Sequence, residues 1–587
     1  MTSITRADAP RVGEPKQLAN WKVGAAMAGV AGIASFQHSL LPRSSTQQAI
    51  VTVGSMALAY GVGVAANAIA NKVDDATGLD QFGSRAAVAG AGALAVLGTT
   101  LALRGRPVGL ALDVPHLSLE AGRTGAAVLA GGAVLGAALI GEQALVDRIQ
   151  DHVPGGAATA HAAIFGAAAL GVGAMVFGRT RVSAVSAEAE RAYLASTGGA
   201  QGSSANPVAF DAARFDEVSR LRSEMTTVPG LRPGTLLPDG AAGGQGVKFL
   251  NEATPAAEIA RVMGTDAASV KDPIRIYGGM QHAGTREQLA QQIFEEALTA
   301  GAFERRHVML YVPSGTGHVN PMPVAATEYL TGGDVASVAM QYGNKPSIQS
   351  FGKRDDAADL FRHVLAKFDD HIQTLPAEQR PKLMAYGESL GAWGIQDSFL
   401  TRGGVSGIAD SGLDAIVNVG TPRFSKLRAE AIGLSGQRLD EAGRMFEFND
   451  LAALQSLPTE QREGVRAFLL THHNDPVNKI SPRMFFKRPE WLAQAEHGIG
   501  VPRTMKWYPG VTGVQGLVDN ANGARVVPGI LEKTGHDYRA EMAPVMAEVL
   551  RSGANEAQLT GINAALNQLE LARVHAPAPA IRIPGLS

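Results

Sequence analysis

Cysteine is absent from this chain of 587 residues. Disulfide staples, thiolate nucleophiles and cysteine-ligated zinc or iron–sulfur sites are thereby excluded. Charge is scarce: 18% of residues are Asp, Glu, Lys or Arg, and they sum to −2, with a pI near 6.7. That balance removes the electrostatic footprint of a nucleic-acid binder, so no nucleic-acid partner is expected. Neither GxxxxGK[ST] nor HExxH occurs, and the scattered carboxylates show no metal spacing. No cofactor and no metal are expected. What is plentiful is apolar surface. Hydrophobic residues make up 45% of the chain, far too many for a disordered protein. The mean hydropathy of +0.03 averages two very different halves.

Up to about residue 180, runs of apolar or small residues alternate with short polar loops. They are Val23–Leu41, Ala49–Ala70, Ala86–Leu103, Thr124–Ile140 and Ala162–Phe177, none with a Lys, Arg, Asp or Glu. The longer ones approach the ~20 residues that cross a bilayer core. A soluble helical bundle would show a charged face at helical spacing, and these runs have none. Ala and Gly dominate, which suits close helix packing; Gly132 and Gly136 give a GxxxG spacing. The reading is a transmembrane helical domain over 1–181 with about five spans, hence a multi-pass protein of the cell membrane with the bilayer as partner. Basic residues nearly balance across the runs, so the side faced by the rest of the chain is left open.

Residues 182–246 form a linker dense in Gly, Pro and Ser, with one helical stretch near Ala209–Met225. Residues 247–570 read as a globular catalytic domain, and 571–587 as an irregular Pro-rich tail. Strands are expected at Ile274–Tyr277, His307–Val312, Ala336–Tyr342, Lys382–Tyr386, Ala415–Val419 and Val465–Leu470, separated by helical stretches. That alternation predicts a mostly parallel sheet with helices on both faces, and places chemistry at the carboxyl ends of the strands.

At the end of the strand KLMAY stands Gly387-Glu388-Ser389-Leu390-Gly391. The pentapeptide is weak evidence alone. Between an apolar strand and a helix-compatible stretch it is the pattern of a nucleophile elbow, which lifts Ser389 above the sheet. The turn also aims the Leu390 N–H at a developing oxyanion. Serine needs a base oriented by a carboxylate, in the chain order Ser, acid, His. Asp475 follows the strand GVRAFLL, and His536 precedes a helix candidate, Tyr538–Leu550. His472 and His473 come before the acid and read as loop histidines lining the site; His497 in EHGIG and His575 in the tail are less favoured candidates for the base than His536. A second oxyanion donor is expected from the loop after HVMLYV, that is Ser314, Gly315 or Thr316.

These residues together resemble a bacterial membrane family, best known from actinobacteria, of α/β-hydrolases whose multi-span N-terminal region precedes a GESLGA-type catalytic domain. The likeness rests on FQHSLLPRS (36–44) and AYGVGV, then on VKFLNEATPAAEI, PIRIYGGM, VPSGTGHVNP, ATEYLTGGDVASVAMQY, YGESLGAWG, HHNDPVNKISP, RPEWL, MKWYPGVTG and GHDY. One departure is STQQ after LLPRS, where an aromatic residue is expected. The resemblance implies the α/β-hydrolase fold and Ser389, Asp475 and His536 as triad. The function expected is a membrane-anchored serine hydrolase, an esterase or lipase acting on an ester of a lipid or amphiphile. Acyl transfer by the same triad and a non-catalytic membrane protein with a hydrolase-like binding domain are the alternatives; intramembrane proteolysis fits less well, since Ser389 lies outside the apolar runs.

Overall fold

The computed structural model describes residues 20–43, 45–77, 209–225, 242–281, 283–344, 352–432, 439–493, 497–523, 531 and 533–575. The expected runs Ala86–Leu103, Thr124–Ile140 and Ala162–Phe177 lie outside them, as do Gly132 and Gly136. The described chain opens with α1 (Asn20–Ala34) and α2 (Ser45–Thr77), followed by α3 (Ala212–Glu224), α4 (Gly243–Asn251) and α5 (Ala256–Met263). Strands and helices then alternate: β1 (Ile274–Gly278), α6 (Arg286–Thr299), β2 (His307–Val312), α7 (Pro321–Leu330), β3 (Val335–Met340), α8 (Arg354–Thr374), β4 (Lys382–Glu388) and α9 (Leu390–Leu400). After β5 (Ala415–Val419), β6 (Met445–Phe448) and β7 (Ala467–Leu470) come α10 (Val511–Gly523), α11 (Met542–Leu550) and α12 (Glu556–His575).

The residues group into two compact units. One gathers the N-terminal helices with Ser481–Ala495 and Pro502–Ala521; the other holds the sheet, from Gly198 to Ile480, with Glu496–Val501 and everything from Asn522 on. Of the stretch read as linker, the described residues 209–225 and 242–246 group with the sheet unit, and α12 continues five residues past 570, into the stretch read as an irregular tail.

In the unit of the N-terminal helices, α1 has 15 residues and is about 22 Å long, short of a ~30 Å bilayer core. The run Val23–Leu41 was expected to span as one helix, and it does not. Ser35 turns its hydroxyl back to the Gly32 carbonyl at 2.6 Å, and Pro42 follows within the same polar loop. Local side-chain bonds of this kind compete with helix propagation. Within α2, Gln47–Ala70 is long and apolar enough to cross a membrane, the one such helix among the described residues. α1 and α2 approach closely at glycines: a Cβ on Gly63 would stand 2.9 Å from the Gly24 Cα. Polar residues tie the loop after α1 to α10. Asp519 accepts the Leu40 N–H at 2.9 Å and the Ser39 hydroxyl at 3.0 Å, and the Gln515 amide donates to the Ser35 and Gln37 carbonyls. Burial pushes the Asp519 carboxyl up to about 6, against the opposing pull of Arg43 and of its hydrogen bonds.

In the sheet unit, seven strands run in the order β1-β3-β2-β4-β5-β7-β6, every neighbouring pair parallel. Most strands are buried along their whole length, as expected when helices cover both faces. Alternate residues serve two cores: Met309, Tyr311 and Met384 join one face, and Val308, Leu310 and Ala385 the other. Local signals start the helices. Thr285 and Gln288 form a reciprocal capping box on α6, and Asn320 caps α7 just ahead of Pro321. A fully buried two-pronged ion pair, Arg275 Nε to Glu328 Oε1 at 2.6 Å and Nη2 to Oε2 at 2.9 Å, fastens β1 to α7. β4 is central, and its carboxyl end opens onto Ser389.

Candidate active site

Ser389 joins β4 to α9 with φ 57° and ψ −118°, one of two non-glycine residues with positive φ among the described residues. Such a conformation costs about 1–3 kcal/mol and persists only where the surroundings impose it. Here the Ser389 N–H donates to the Val419 carbonyl at 2.9 Å, pinning the turn to β5. Gly391 lets the turn pass β2, since a Cβ there would meet the Val312 carbonyl oxygen at 2.1 Å. Leu390 is the first residue of α9, so its N–H has no acceptor within the helix.

Asp475 lies just beyond β7, fully buried, and caps the short helix Pro476–Lys479 by accepting the Val477 N–H at 2.9 Å on Oδ1. Its other oxygen, Oδ2, accepts from His536 Nδ1 at 2.8 Å and from the Tyr538 hydroxyl at 2.6 Å. With Nδ1 carrying that proton, Nε2 of His536 is the basic atom of the neutral ring. Burial lowers the His536 pKa, but the Asp475 charge and hydrogen bond, then Glu388 and Asp537, outweigh it; the net value lies above the ordinary 6.5. The His536 ring rests on Gly420, the residue after Val419. Ser389, Gly420 and Asp475 thus sit at the carboxyl ends of three neighbouring strands, β4, β5 and β7, with His536 against the middle one.

In the loop after β2, the Ser314 N–H donates to the His318 carbonyl at 3.1 Å. Its backbone N–H, expected as a candidate oxyanion donor, is thereby engaged within the loop. Tyr277 holds this loop through a 2.8 Å bond from its hydroxyl to the Gly317 carbonyl. Glu388, beside the serine, accepts from Asn320 Nδ2 at 2.9 Å and from the Tyr386 hydroxyl at 3.1 Å.

His472 was read as lining the site, but it is buried, with both ring nitrogens bonded: Nδ1 to the Gly535 carbonyl at 2.9 Å and Nε2 to Glu541 at 3.0 Å. His473 is half-buried beneath Gly498, His497 falls in the Glu496–Val501 segment, and His575 ends α12. Sequence reasoning overlooked Tyr538, Glu388, Asn320 and Gly420. The one available signal was Tyr538 standing two residues beyond the histidine in GHDY. Among the described residues, no cluster of three or more His, Asp or Glu is arranged to hold a metal.

Residues 274–562 match the model of an alpha/beta-hydrolase family. No curated protein and no solved structure matches the chain.

Proposed function

We propose that the α/β-hydrolase domain over residues 274–562 works as a serine hydrolase on esters of lipids or other amphiphiles, attached to the membrane by the N-terminal helices. The observation that carries this reading is the 2.8 Å bond from His536 Nδ1 to the buried Asp475, at the same sheet edge as the strained Ser389 turn. Ser389 Oγ attacks the acyl carbon while His536 Nε2 takes its proton. The oxyanion that forms is met by the Leu390 N–H and by Gly315 or Thr316. Collapse of the tetrahedral intermediate expels the alcohol, which takes the proton from His536. Water, deprotonated by the same nitrogen, then releases the acid from Ser389.

Two features support an amphiphilic substrate. The Gln47–Ala70 segment has 24 residues, is about 36 Å long, and contains an 18-residue stretch of mean hydropathy 1.8, long and apolar enough to cross a bilayer core. Met280, Phe424 and Ile499 expose apolar side chains in segments that follow β1, β5 and β7. The multi-pass reading rests on the three charge-free runs beyond residue 85, which lie outside the described residues.

The test is labelling of membranes holding the full chain with a fluorophosphonate probe, beside a panel of esters of rising chain length. Wild type should be labelled and Ser389→Ala should not, with turnover lost in parallel and rising with acyl length in the wild type. Labelling unchanged in Ser389→Ala would overturn the assignment.

A further inference from the structure

The ring of His472 lies almost parallel to that of Tyr538, with centroids 4.1 Å apart and planes 23° apart. Its backbone does as much as its side chain. The His472 N–H donates to the Tyr538 oxygen at 3.1 Å, and the His472 carbonyl accepts the Asp475 N–H at 3.2 Å. With a lone pair of the phenol oxygen occupied by that donor, the Tyr538 proton is directed to Asp475 Oδ2. One residue therefore holds both ends of the bond that steadies the carboxylate.

The ring nitrogens define its protonation. The Gly535 carbonyl can only accept, so Nδ1 carries hydrogen. Nε2 faces Glu541, a fully buried carboxyl whose Oε2 has no hydrogen-bond partner among the described residues. A proton shared between Nε2 and Oε1 makes this pair an imidazolium and a carboxylate, and the charge of Asp475 favours the same assignment. Burial lowers the His472 pKa, yet Glu541, the Gly535 carbonyl and Asp475 raise it to a net value above 6.5.

We propose that His472 is a positioning residue for the Ser389 reaction: a buried imidazolium that clamps Tyr538, sharpens its hydroxyl as a donor to Asp475, and offsets the negative charge around His536. This inference rests on the serine-hydrolase reading. A cation stacked on a phenol draws electron density from it and strengthens its O–H as a donor. The groups facing this cluster are Glu541, Asp475 and Glu388, with Asp537 already paired to Arg539, His536 itself, and Lys479 in the helix that Asp475 caps, whose amine burial pushes down to about 8 against the pull of Glu447 and Asp475. Without the His472 cation these carboxylates would hold the His536 proton to higher pH, and the base would be less available near neutrality.

The experiment is the pH dependence of ester turnover by the full chain in membranes, for wild type, His472→Gln, Tyr538→Phe and His472→Gln/Glu541→Gln, each scaled to folded protein from its thermal melt. Both single substitutions should lower turnover about tenfold or more and move the acid limb up by about half a pH unit or more. The double variant removes the cation and its counter-charge together, and its limb should return towards wild type. If His472→Gln fails to fold, Tyr538→Phe, which keeps the ion pair, carries the test. A limb that stays put or moves down in the folded single variants overturns the proposal, as does a double variant no closer to wild type than His472→Gln. Ser389→Ala run alongside separates the two readings: full activity there removes the serine hydrolase itself, whereas its loss with an unmoved limb removes only the role of His472.

Discussion

Gly420 and His536 meet so closely that a Cβ on the glycine would stand 2.4 Å from Cε1 of the imidazole and 2.8 Å from Nδ1. The same Cβ would reach the Tyr538 ring at 2.9 Å, and Gly420 itself has φ +58°. Gly420→Ala should therefore shift the imidazole away from its place beside β5. Turnover should drop about 100-fold, in line with the cost of misplacing a reacting group by an ångström. Gly443→Ala is the control: its φ is +67° and nothing lies within 4 Å of the added carbon. It should cost about 1–2 kcal/mol of stability with turnover per folded molecule unchanged. Equal turnover in the two variants would contradict the proposed role of His536.

Asp475→Asn should leave the chain folded and lower turnover about 10⁴-fold, because an amide cannot hold the His536 tautomer with its proton on Nδ1. Other acids after strands or between them have local duties. Asp450 caps the helix Leu451–Gln455 through the Ala453 N–H, and Asp414 accepts the Leu383 N–H at the start of β4. Asparagine at either position should change stability by a kcal/mol or so and spare turnover. Steady-state kinetics of the three variants decide the matter.

The acid limb of the turnover profile should lie on the alkaline side of pH 6.5. His536 must be neutral to accept the Ser389 proton, and its raised pKa means that it keeps its own proton to higher pH. Turnover thus falls as pH drops through that raised value, as one ionisation. Glu388→Gln, which removes one of the charges responsible, should move the limb down. An upward movement would contradict this account.

Asp519 makes an opposite kind of pH dependence. Its folded value of about 6 lies above the ordinary 3.8, so the folded protein binds a proton there more tightly than the unfolded chain. Stability of the helical unit should fall as pH rises from about 4 to about 6, by on the order of 2–3 kcal/mol, and then level off. Asp519→Asn should flatten that slope. Hydrogen exchange of the amides of residues 35–43 in the full protein, followed between pH 4 and 7, measures it.

The parallel sheet was legible because strands buried on both faces read as short apolar runs bounded by glycine and polar residues. β6 escaped for a physical reason: it has four residues, and Glu447 within it engages Arg428, so no apolar run of readable length exists. Chain order, the place of Asp475 after a strand and the helix candidate after His536 singled out these two residues, which share a hydrogen bond. Tyr538 and Glu541 were not legible, since their importance arises from partners 63 and 69 residues away. Nor was the end of α1 at Ala34, or the grouping of Ser481–Ala495 and Pro502–Ala521 with the N-terminal helices. The first depends on a local bond from Ser35 to Gly32 and the second on a few polar bonds between distant segments, and neither leaves a periodicity in the chain.

The bond between Asp519 and Leu40 sets a schedule for biogenesis. Its partners are 479 residues apart, so a ribosome adding ~5–20 residues per second makes the carboxylate roughly 25–95 s after the amide. For that interval α1 and α2 have been made while the Leu40 N–H waits for its acceptor, whereas the Ser39 hydroxyl has the Leu41 carbonyl at 3.0 Å. Water, lipid headgroups or the insertion machinery must satisfy the Leu40 N–H meanwhile. The loop that joins the first two helices therefore reaches its final form only after residue 519 has been made.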